Sequence, residues 1–517
     1  MTQDLTADVV SPADVDARRA RFAGARVLVV GLGLSGADAA RVLAELGADV
    51  VALDSRPAVA ERAASDLPRV RVLVPRAGES EADLVARGLA ADPRLVLVSP
   101  GIPLHSPLVA TPLALGLRLM TEFDLAWLIR LDDAPWLFVT GTNGKTTTTQ
   151  MTSELLRAGG LHAPPLGNLG VTLPGVALDG IADEAGVLRA PQAWPIEIAA
   201  LQLNDTSSPR PQASVCLNVA DDHLDHFGTM ERYRAAKARV YRGVRDACVY
   251  PTWEDGAREL VEEADVVEGA RAVGLTVGVP SVAQIGIVEG TVVDRAFHVR
   301  RHTEGVALFE RSDLEHLGTP GPAGVTLAPH LVTNAMAAAA LARSAGVDAE
   351  AVADGLRSFR LDAHRSAVVG VVDGVTYVND SKATNAHAAA AALRAVADGT
   401  AVWIAGGDAK GADLADLVRD HARAMRGVVL IGKDPAPWVD PLERHASHLP
   451  VIRVPDGDTD QVMTAAVTAA RRLAQPGDTV LLAPAGASWD QFRNYGHRGD
   501  TFARAVRELT PRAAGEQ

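Results

Sequence analysis

Three times along a chain of 517 residues an apolar, strand-like run ends in a glycine-containing turn and gives way to a helical pattern. That recurrence predicts an α/β protein, and a chain of this length exceeds what one hydrophobic core holds. Three domains are expected: residues 1–130, Rossmann-like; 131–361, a P-loop-type ATPase α/β unit; and 362–517, a second Rossmann-like parallel sheet.

Residues 26–54 read as strand, glycine turn, helix and strand: ARVLVVGLGLSG, ADAARVLAELG with helical apolar spacing, then ADVVALDSR. Strand-like runs at RLVLVSPG and LRLMTE extend a parallel sheet toward residue 130. The pattern restarts at PWLFVTGTNGKTTTTQMTSELLRAGG, followed by strand-like WPIEIAALQL and ASVCLNVA, while 250–330 reads as β-rich with many Gly and Pro. The last unit starts near Leu361: VDGVTYVNDSKATN runs into an alanine-rich helix, and AVWIAGGD, GVVLIGK and DTVLLAPAGAS read as buried parallel strands.

Composition narrows the function. With 48% hydrophobic and 22% charged residues the chain reads as globular, and it contains no apolar stretch long enough to cross a bilayer. Its net charge of -14 repels nucleic acid and anionic lipid. The first twenty residues lack the basic start and apolar middle of a secretory signal, and two cysteines make no disulfide framework. A cytoplasmic monomer acting on small molecules, with no nucleic-acid partner and no membrane span, is expected. Only five lysines (Lys145, Lys237, Lys382, Lys410, Lys433) stand against 45 arginines, and four of the five fall inside motifs. A compact ammonium or a modifiable amine is what lysine supplies and guanidinium does not.

The sharpest motif is GTNGKTT at residues 141–147, between a strand and a helix. Gly141, Thr142, Asn143 and Gly144 can turn backbone N–H groups toward phosphate oxygens, Lys145 neutralises their charge, and the Thr146 hydroxyl, followed by Thr147, can hold magnesium. The loop is shorter than the common form, whose first glycine would fall at Val139. GLGLSG at residues 31–36, with Asp54 ending the next strand, has the dinucleotide spacing. The same geometry takes any diphosphate at a helix start, so a nicotinamide cofactor and a UDP-sugar both remain open. The cluster NVADDHLDH (218–226) at a strand end suits a magnesium site, with Glu197 on a neighbouring strand as partner for Thr146. NDSKATN, GGDAK and ASW each follow a strand of the last unit, and together suggest a pocket for an anionic small molecule.

In this order and over nearly the whole chain, the motifs resemble the Mur ligases of peptidoglycan synthesis. GTNGKTT and DDHLDHFG match the superfamily, while NDSKATN and GLGLSG point to its D-glutamate-adding branch. The resemblance implies three domains that bind UDP-N-acetylmuramoyl-L-alanine, ATP and D-glutamate in turn, with Mg2+ and a carbamylated lysine. It makes Leu34, Ser35, Asp54, Ser55, Arg56 and Ser99 contacts of the UDP-sugar. Lys145 and Thr146 serve phosphate and metal, Glu197 the first metal, and His223 the second together with a carbamate on Lys237. Asn168, Asn334, Arg365 and Asp380 match nucleotide contacts; Lys382, Thr384, Lys410, Ser488 and Tyr495 match residues around substrate and D-glutamate. Lys145, His223, Lys237 and Arg365 are thereby the catalytic candidates. Ala199 stands where the family carries a serine, and Trp489 and Tyr495 stand where Leu and Phe are commoner.

The reaction this implies is phosphorylation of a carboxylate by ATP followed by attack of an amine on the acyl phosphate, with a hinge near residues 359–363. Rival readings are another Mur ligase or a folylpolyglutamate-synthetase-like amide ligase, a nicotinamide-dependent dehydrogenase, which leaves GTNGKTT unexplained, and a nucleotide switch without chemistry.

Overall fold

The valine- and leucine-rich runs form strands whose alternate side chains enter different cores. In the computed structural model, which describes residues 12–509 except 104, 184, 223, 322–323, 362–363, 365 and 410–411, the N-terminal sheet holds β1 (Arg26–Val30), β2 (Asp49–Leu53), β3 (Arg71–Leu73), β4 (Leu95–Val98) and β5 (Arg118–Met120). All pairings are parallel, in the order β3-β2-β1-β4-β5. Val27 and Val29 pack into one apolar cluster, Leu28 and Val30 into another, as the two-residue period of a strand covered on both faces requires. The order reverses between β1 and β4, so the glycine turn after β1 opens at the switch point where such sheets bind ligands.

The central sheet has nine strands: β6 (Trp136–Thr140), β7 (Leu166–Gly167), β10 (Trp194–Glu197), β11 (Ala213–Cys216), β12 (Ala247–Pro251), β13 (Arg271–Leu275), β14 (Gln284–Val288), β15 (Thr291–Asp294) and β16 (Val306–Glu310). Between β7 and β10 lies a small hairpin of β8 (Ile181–Ala182) and β9 (Leu188–Arg189). The order β16-β15-β14-β13-β12-β11-β6-β10-β7 puts β6, buried at every residue, between β10 and β11. The Gly- and Pro-rich stretch expected to be β-rich, 250–330, supplies β13 to β16 and two further short strands, with β14 and β15 forming an antiparallel hairpin.

These two sheets belong to one compact unit made of Met1–Val219, Thr229–Phe309 and Asn334–Ser358. Residue 130 lies inside it, and the connection is a shared core. Seven of the eight residues of the helix Glu122–Ile129 are buried, and Trp136 stacks on Trp194 while meeting Trp127 edge-on, both at 5.1 Å. Polar ties reinforce this: Asp38 accepts the Gly175 N–H at 2.8 Å, and Asp124 accepts those of Ser207 and Ser208.

The second unit comprises Ala220–Gly228, Glu310–Thr333 and Phe359–Gln517. It carries a hairpin of β17 (Thr319–Gly321) and β18 (Gly324–Thr326), and a six-stranded sheet of β19 (Ala367–Val372), β20 (Val375–Asn379), β21 (Ala401–Gly406), β22 (Met425–Ile431), β23 (Val451–Arg453) and β24 (Thr479–Ala485) in the order β19-β20-β24-β21-β22-β23. Trp403 and Leu481 point into one core, Val402, Ile404 and Val480 into the other. β19 pairs antiparallel with β20 through Asp373 and Gly374, both at positive φ, the backbone that a two-residue hairpin turn favours.

Candidate active site

The phosphate loop leaves β6 at Thr140 and enters the helix Lys145–Ala158 through Gly144 at φ +84°. A side chain there would be strained and would meet Asn334 Oδ1 at 2.7 Å and Leu217 at 2.9 Å. Glycine is therefore required where Asn334, buried at 4% exposure, closes over the loop. Asn218, just after β11, clamps the other side. Its carbonyl accepts the Thr142 N–H at 3.1 Å, its Oδ1 accepts the Asn143 N–H at 2.8 Å, and its Nδ2 donates to the Asn143 carbonyl at 3.2 Å. Lys145 Nζ donates to the carbonyls of Gly141 and Thr142 at 2.8 and 3.0 Å, so the ammonium lies along the loop. Thr142 and Tyr233 join hydroxyls at 3.1 Å, and Thr147 is buried. A helix start with a fixed loop and a nearby ammonium is a site for phosphate oxygens.

At the second residue of the helix, Thr146 Oγ1 donates to Glu197 Oε2 at 2.6 Å, and Asn168 Nδ2 donates to Glu197 Oε1 at 2.9 Å. Glu197 ends β10 beside β6, and only 3% of it is exposed. A hydroxyl and a carboxylate at the edge of a phosphate site are the hard oxygen donors that magnesium takes, its remaining positions going to water and phosphate. Thr146 and Glu197 therefore fit such an ion. Among the described residues no three His, Cys, Asp or Glu side chains gather as a metal cluster, and His223 lies outside the described residues. Lys237 is 1% exposed, with Nζ 4.8 Å from the centre of the Tyr233 ring. Burial pushes the nearby Cys216 thiol up, with the Lys237 charge opposing. Of the acidic cluster expected to hold metal, Asn218 serves the loop, and Asp222 Oδ2 accepts from Asn385 Nδ2 at 3.3 Å.

At the N-terminal sheet the predicted residues gather around the turn after β1. A side chain at Gly36 would meet the Gly31 carbonyl at 1.9 Å and Ser99 at 3.3 Å, so the turn closes only on glycine. Leu34, 65% exposed, and Ser35 open the following helix, and Ser35 faces the Glu122 carboxyl, which burial pushes up. Ser99 is buried against the turn. Asp54 is 3% exposed, and four donors occupy it. Oδ2 accepts from the Leu32 N–H and an Arg56 guanidinium nitrogen, Oδ1 from the Arg56 N–H and Nε. Burial pushes this carboxyl up, but the bonds from Arg56 and Leu32 outweigh it and hold it below its ordinary value. Asp54 thus spends its acceptors on holding the turn and the exposed Ser55–Arg56 corner rather than standing open at the strand end.

In the second unit, β20 delivers NDSKATN. Asn379 donates to the Gly499 carbonyl at 2.9 Å and accepts the Ser381 N–H at 3.2 Å. Asp380 accepts the Ser366 N–H at 3.2 Å. Lys382 Nζ lies 5.2 Å from the centre of the Tyr495 ring, and the Thr384 N–H bonds the Lys382 carbonyl. Asp408 and Ala487 exchange backbone hydrogen bonds of 2.9 and 2.8 Å, which brings the loop after β21 to the loop holding buried Ser488. Lys410 and Arg365 lie outside the described residues.

Known proteins carry the same pieces in the same order. Residues 25–121 match the pattern described as the Mur ligase MurD-like N-terminal domain, 139–342 the Mur ligase middle domain, and 364–486 the Mur ligase glutamate ligase domain. The chain belongs to the Mur ligase family. A UDP-N-acetylmuramoylalanine–D-glutamate ligase of Streptomyces avermitilis is 47% identical over 94% of this chain and 98% of its own. That of Streptomyces coelicolor is 45% identical over 94% and 99%, and that of Mycobacterium tuberculosis 41% identical over 94% and 96%. Two solved structures share the fold: a pseudomurein peptide ligase type C from Methanothermus fervidus (TM-score 0.53, 15% identity, 94% of this chain and 100% of that one) and a UDP-N-acetylmuramate-alanine ligase from Thermotoga maritima (TM-score 0.50, 18% identity, 93% and 99%).

Two residues of this Mur ligase's site escaped the sequence reading. In the sequence Asn218 stands within the acidic cluster, and its clamp on the loop depends on β11 lying beside β6. Arg498 is 1% exposed and ties the Ser381 and Gly486 loops together. Nothing in the local pattern separates it from the other arginines. Where the family serine is replaced, the Ala199 N–H is capped by Gln202 Oε1 at 2.9 Å, and Gln202 Nε2 reaches Glu122 at 3.1 Å.

Proposed function

We propose that this Mur ligase joins D-glutamate to UDP-N-acetylmuramoyl-L-alanine, with ATP converted to ADP and phosphate, in the synthesis of peptidoglycan precursors. The observation that carries it is the Lys145–Thr146–Glu197 arrangement on the phosphate loop, in a chain whose relatives at 41–47% identity act on those substrates by name. A carboxylate does not lose its oxygen to an amine at neutral pH, so its hydroxyl-level oxygen must first become a leaving group. A carboxylate oxygen bonds the γ-phosphorus as the bond to the bridging β,γ-oxygen breaks, giving an acyl phosphate and ADP. The amine then forms the C–N bond as the C–O bond breaks, phosphate leaves, and the amine proton passes to solvent or a base.

Each residue has a role in that scheme. The first-turn N–H groups of Lys145–Ala158 and the Lys145 ammonium bind and orient the phosphates, which is most of what phosphoryl transfer asks of a protein. Thr146 and Glu197 would hold magnesium, which supplies neutralisation of phosphate charge. Lys237, buried beside an aromatic ring, is the candidate for a carbamate: its neutral amine adds to carbon dioxide with loss of a proton, giving an anionic group that could serve as a metal ligand, the role the family resemblance also assigns to His223. Asn168 holds Glu197, and Asn334 covers the loop near the nucleotide, to which the family resemblance also assigns Arg365 and Asp380. Leu34, Ser35, Ser55, Arg56 and Ser99 surround the UDP-sugar turn, with Asp54 fixing its shape. Lys382, Thr384, Lys410, Ser488 and Tyr495 receive D-glutamate.

Phosphate release with Mg-ATP and UDP-N-acetylmuramoyl-L-alanine across a panel of D- and L-amino acids tests the reading. Acceleration by D-glutamate alone is expected; equal rates with every amino acid, or none with D-glutamate, would reject it.

A further inference from the structure

The Arg498 side chain is 1% exposed and makes three hydrogen bonds, all to uncharged oxygens: Nε to Ser381 Oγ at 3.0 Å, Nη2 to the Ser381 carbonyl at 2.8 Å and Nη1 to the Gly486 carbonyl at 3.1 Å. Ser381 Oγ in turn donates to the Tyr495 carbonyl at 2.8 Å. A third loop passes nearby, since a Cβ added at Gly407 would lie 3.2 Å from Arg498 Nη1 and 2.2 Å from the Ala487 carbonyl. One guanidinium therefore sits where the loops after β20, β21 and β24 converge. The loops after β20 and β24 carry Lys382, Thr384 and Ser488, while Tyr495 starts the helix Tyr495–Arg507 that Arg498 belongs to.

Burying a cation without a hydrogen-bonded carboxylate costs several kcal/mol, and a neutral side chain could bridge carbonyls more cheaply. The acid that acts on Arg498 electrostatically is Asp490, whose Oδ2 already accepts the Lys433 N–H at 3.0 Å. Burial lowers the guanidinium to about 9, which leaves it charged at neutral pH. A retained, poorly neutralised charge beneath a rim that also bears Lys382 makes that rim favourable to an anion.

We propose that Arg498 is a positioning residue for the incoming amino acid: it ties the loops after β20 and β24 into one rim, beside the loop after β21, and lends that rim a positive potential matched to the carboxylates of D-glutamate. This deepens the proposed function and rests on it.

The test is steady-state kinetics on the full chain, with each substrate varied in turn, for wild type, R498K, R498M and S381A. For R498M the KM for D-glutamate should rise ~10-fold or more with a smaller fall in kcat, while the KM values for ATP and the UDP-sugar change less than ~2-fold. R498K, which keeps the charge and loses the fork, should recover part of that rise. S381A, which removes one acceptor and leaves the cation, should raise the same constant ~3-fold. If R498M does not fold, R498K and S381A decide. An unchanged D-glutamate KM in the variants that fold, or an equal loss for all three substrates, would overturn the proposal. Absence of D-glutamate turnover in wild type would instead overturn the functional reading, since the proposal is read only from variant-to-wild-type ratios.

Discussion

The loop at residues 141–145 and the loops at the edge of the C-terminal sheet, each proposed to receive an anion, are fixed by opposite means. The first is clamped from outside by neutral groups, Asn218 after β11 with three hydrogen bonds and Tyr233 on the helix Met230–Ala238 with one, while its lysine lies along the loop. The second is held by a buried cation, Arg498, so the group that shapes the rim also charges it. A polar clamp separates architecture from electrostatics. A buried arginine merges them, and replacing it must alter both.

That contrast can be broken by substitution. K145A removes a charge without touching the clamp, and phosphate release should fall by ~10²–10³ with the fold intact, measured by kcat and by unfolding midpoint. A rate within ~3-fold of wild type would remove the loop from the chemistry. N218A removes the clamp without touching the charge. It should cost on the order of 10-fold in kcat/KM for ATP, with the D-glutamate KM unmoved, the reverse of the pattern for Arg498. If N218A shifted the D-glutamate KM instead, the two regions would not be separable in this way.

A third region sharpens the comparison with the smallest effect. Asp54 is a buried anion that shapes its own turn, and its carboxyl lies below the ordinary value, so its contribution to stability is present above the unfolded-state value and disappears as pH falls through the depressed one. D54N should therefore be less stable than wild type at pH 7 by about 1–3 kcal/mol in urea unfolding. The gap should close toward acid pH. A gap independent of pH would mean that the carboxylate charge does not hold the turn.

Much of this was readable in the residues because the signals were local. GTNGKTT and GLGLSG need glycine where the backbone turns left-handed or a carbonyl of the same turn approaches, and those constraints are written in consecutive residues. The three sheets followed from apolar runs bounded by turns. β3 escaped because its three residues include an exposed arginine, and β19 escaped although the Asp373-Gly374 pair signals a hairpin. Asn218 and Arg498 could not be found this way. Their roles arise where strands far apart in sequence lie side by side, and neither polarity nor spacing along the chain announces that. Asp54 was legible as a residue of the turn, whereas the saturation of its carboxylate depends on Arg56 folding back over it.

The central claim is that a carboxylate oxygen of the UDP-sugar peptide is bonded to phosphorus before the amine arrives. It is tested most directly by running the reaction with 18O in that carboxylate and examining the released phosphate by mass spectrometry. The account predicts one labelled oxygen in each phosphate formed. Unlabelled phosphate alongside amide product would contradict it, because water rather than the carboxylate would then have taken the phosphoryl group.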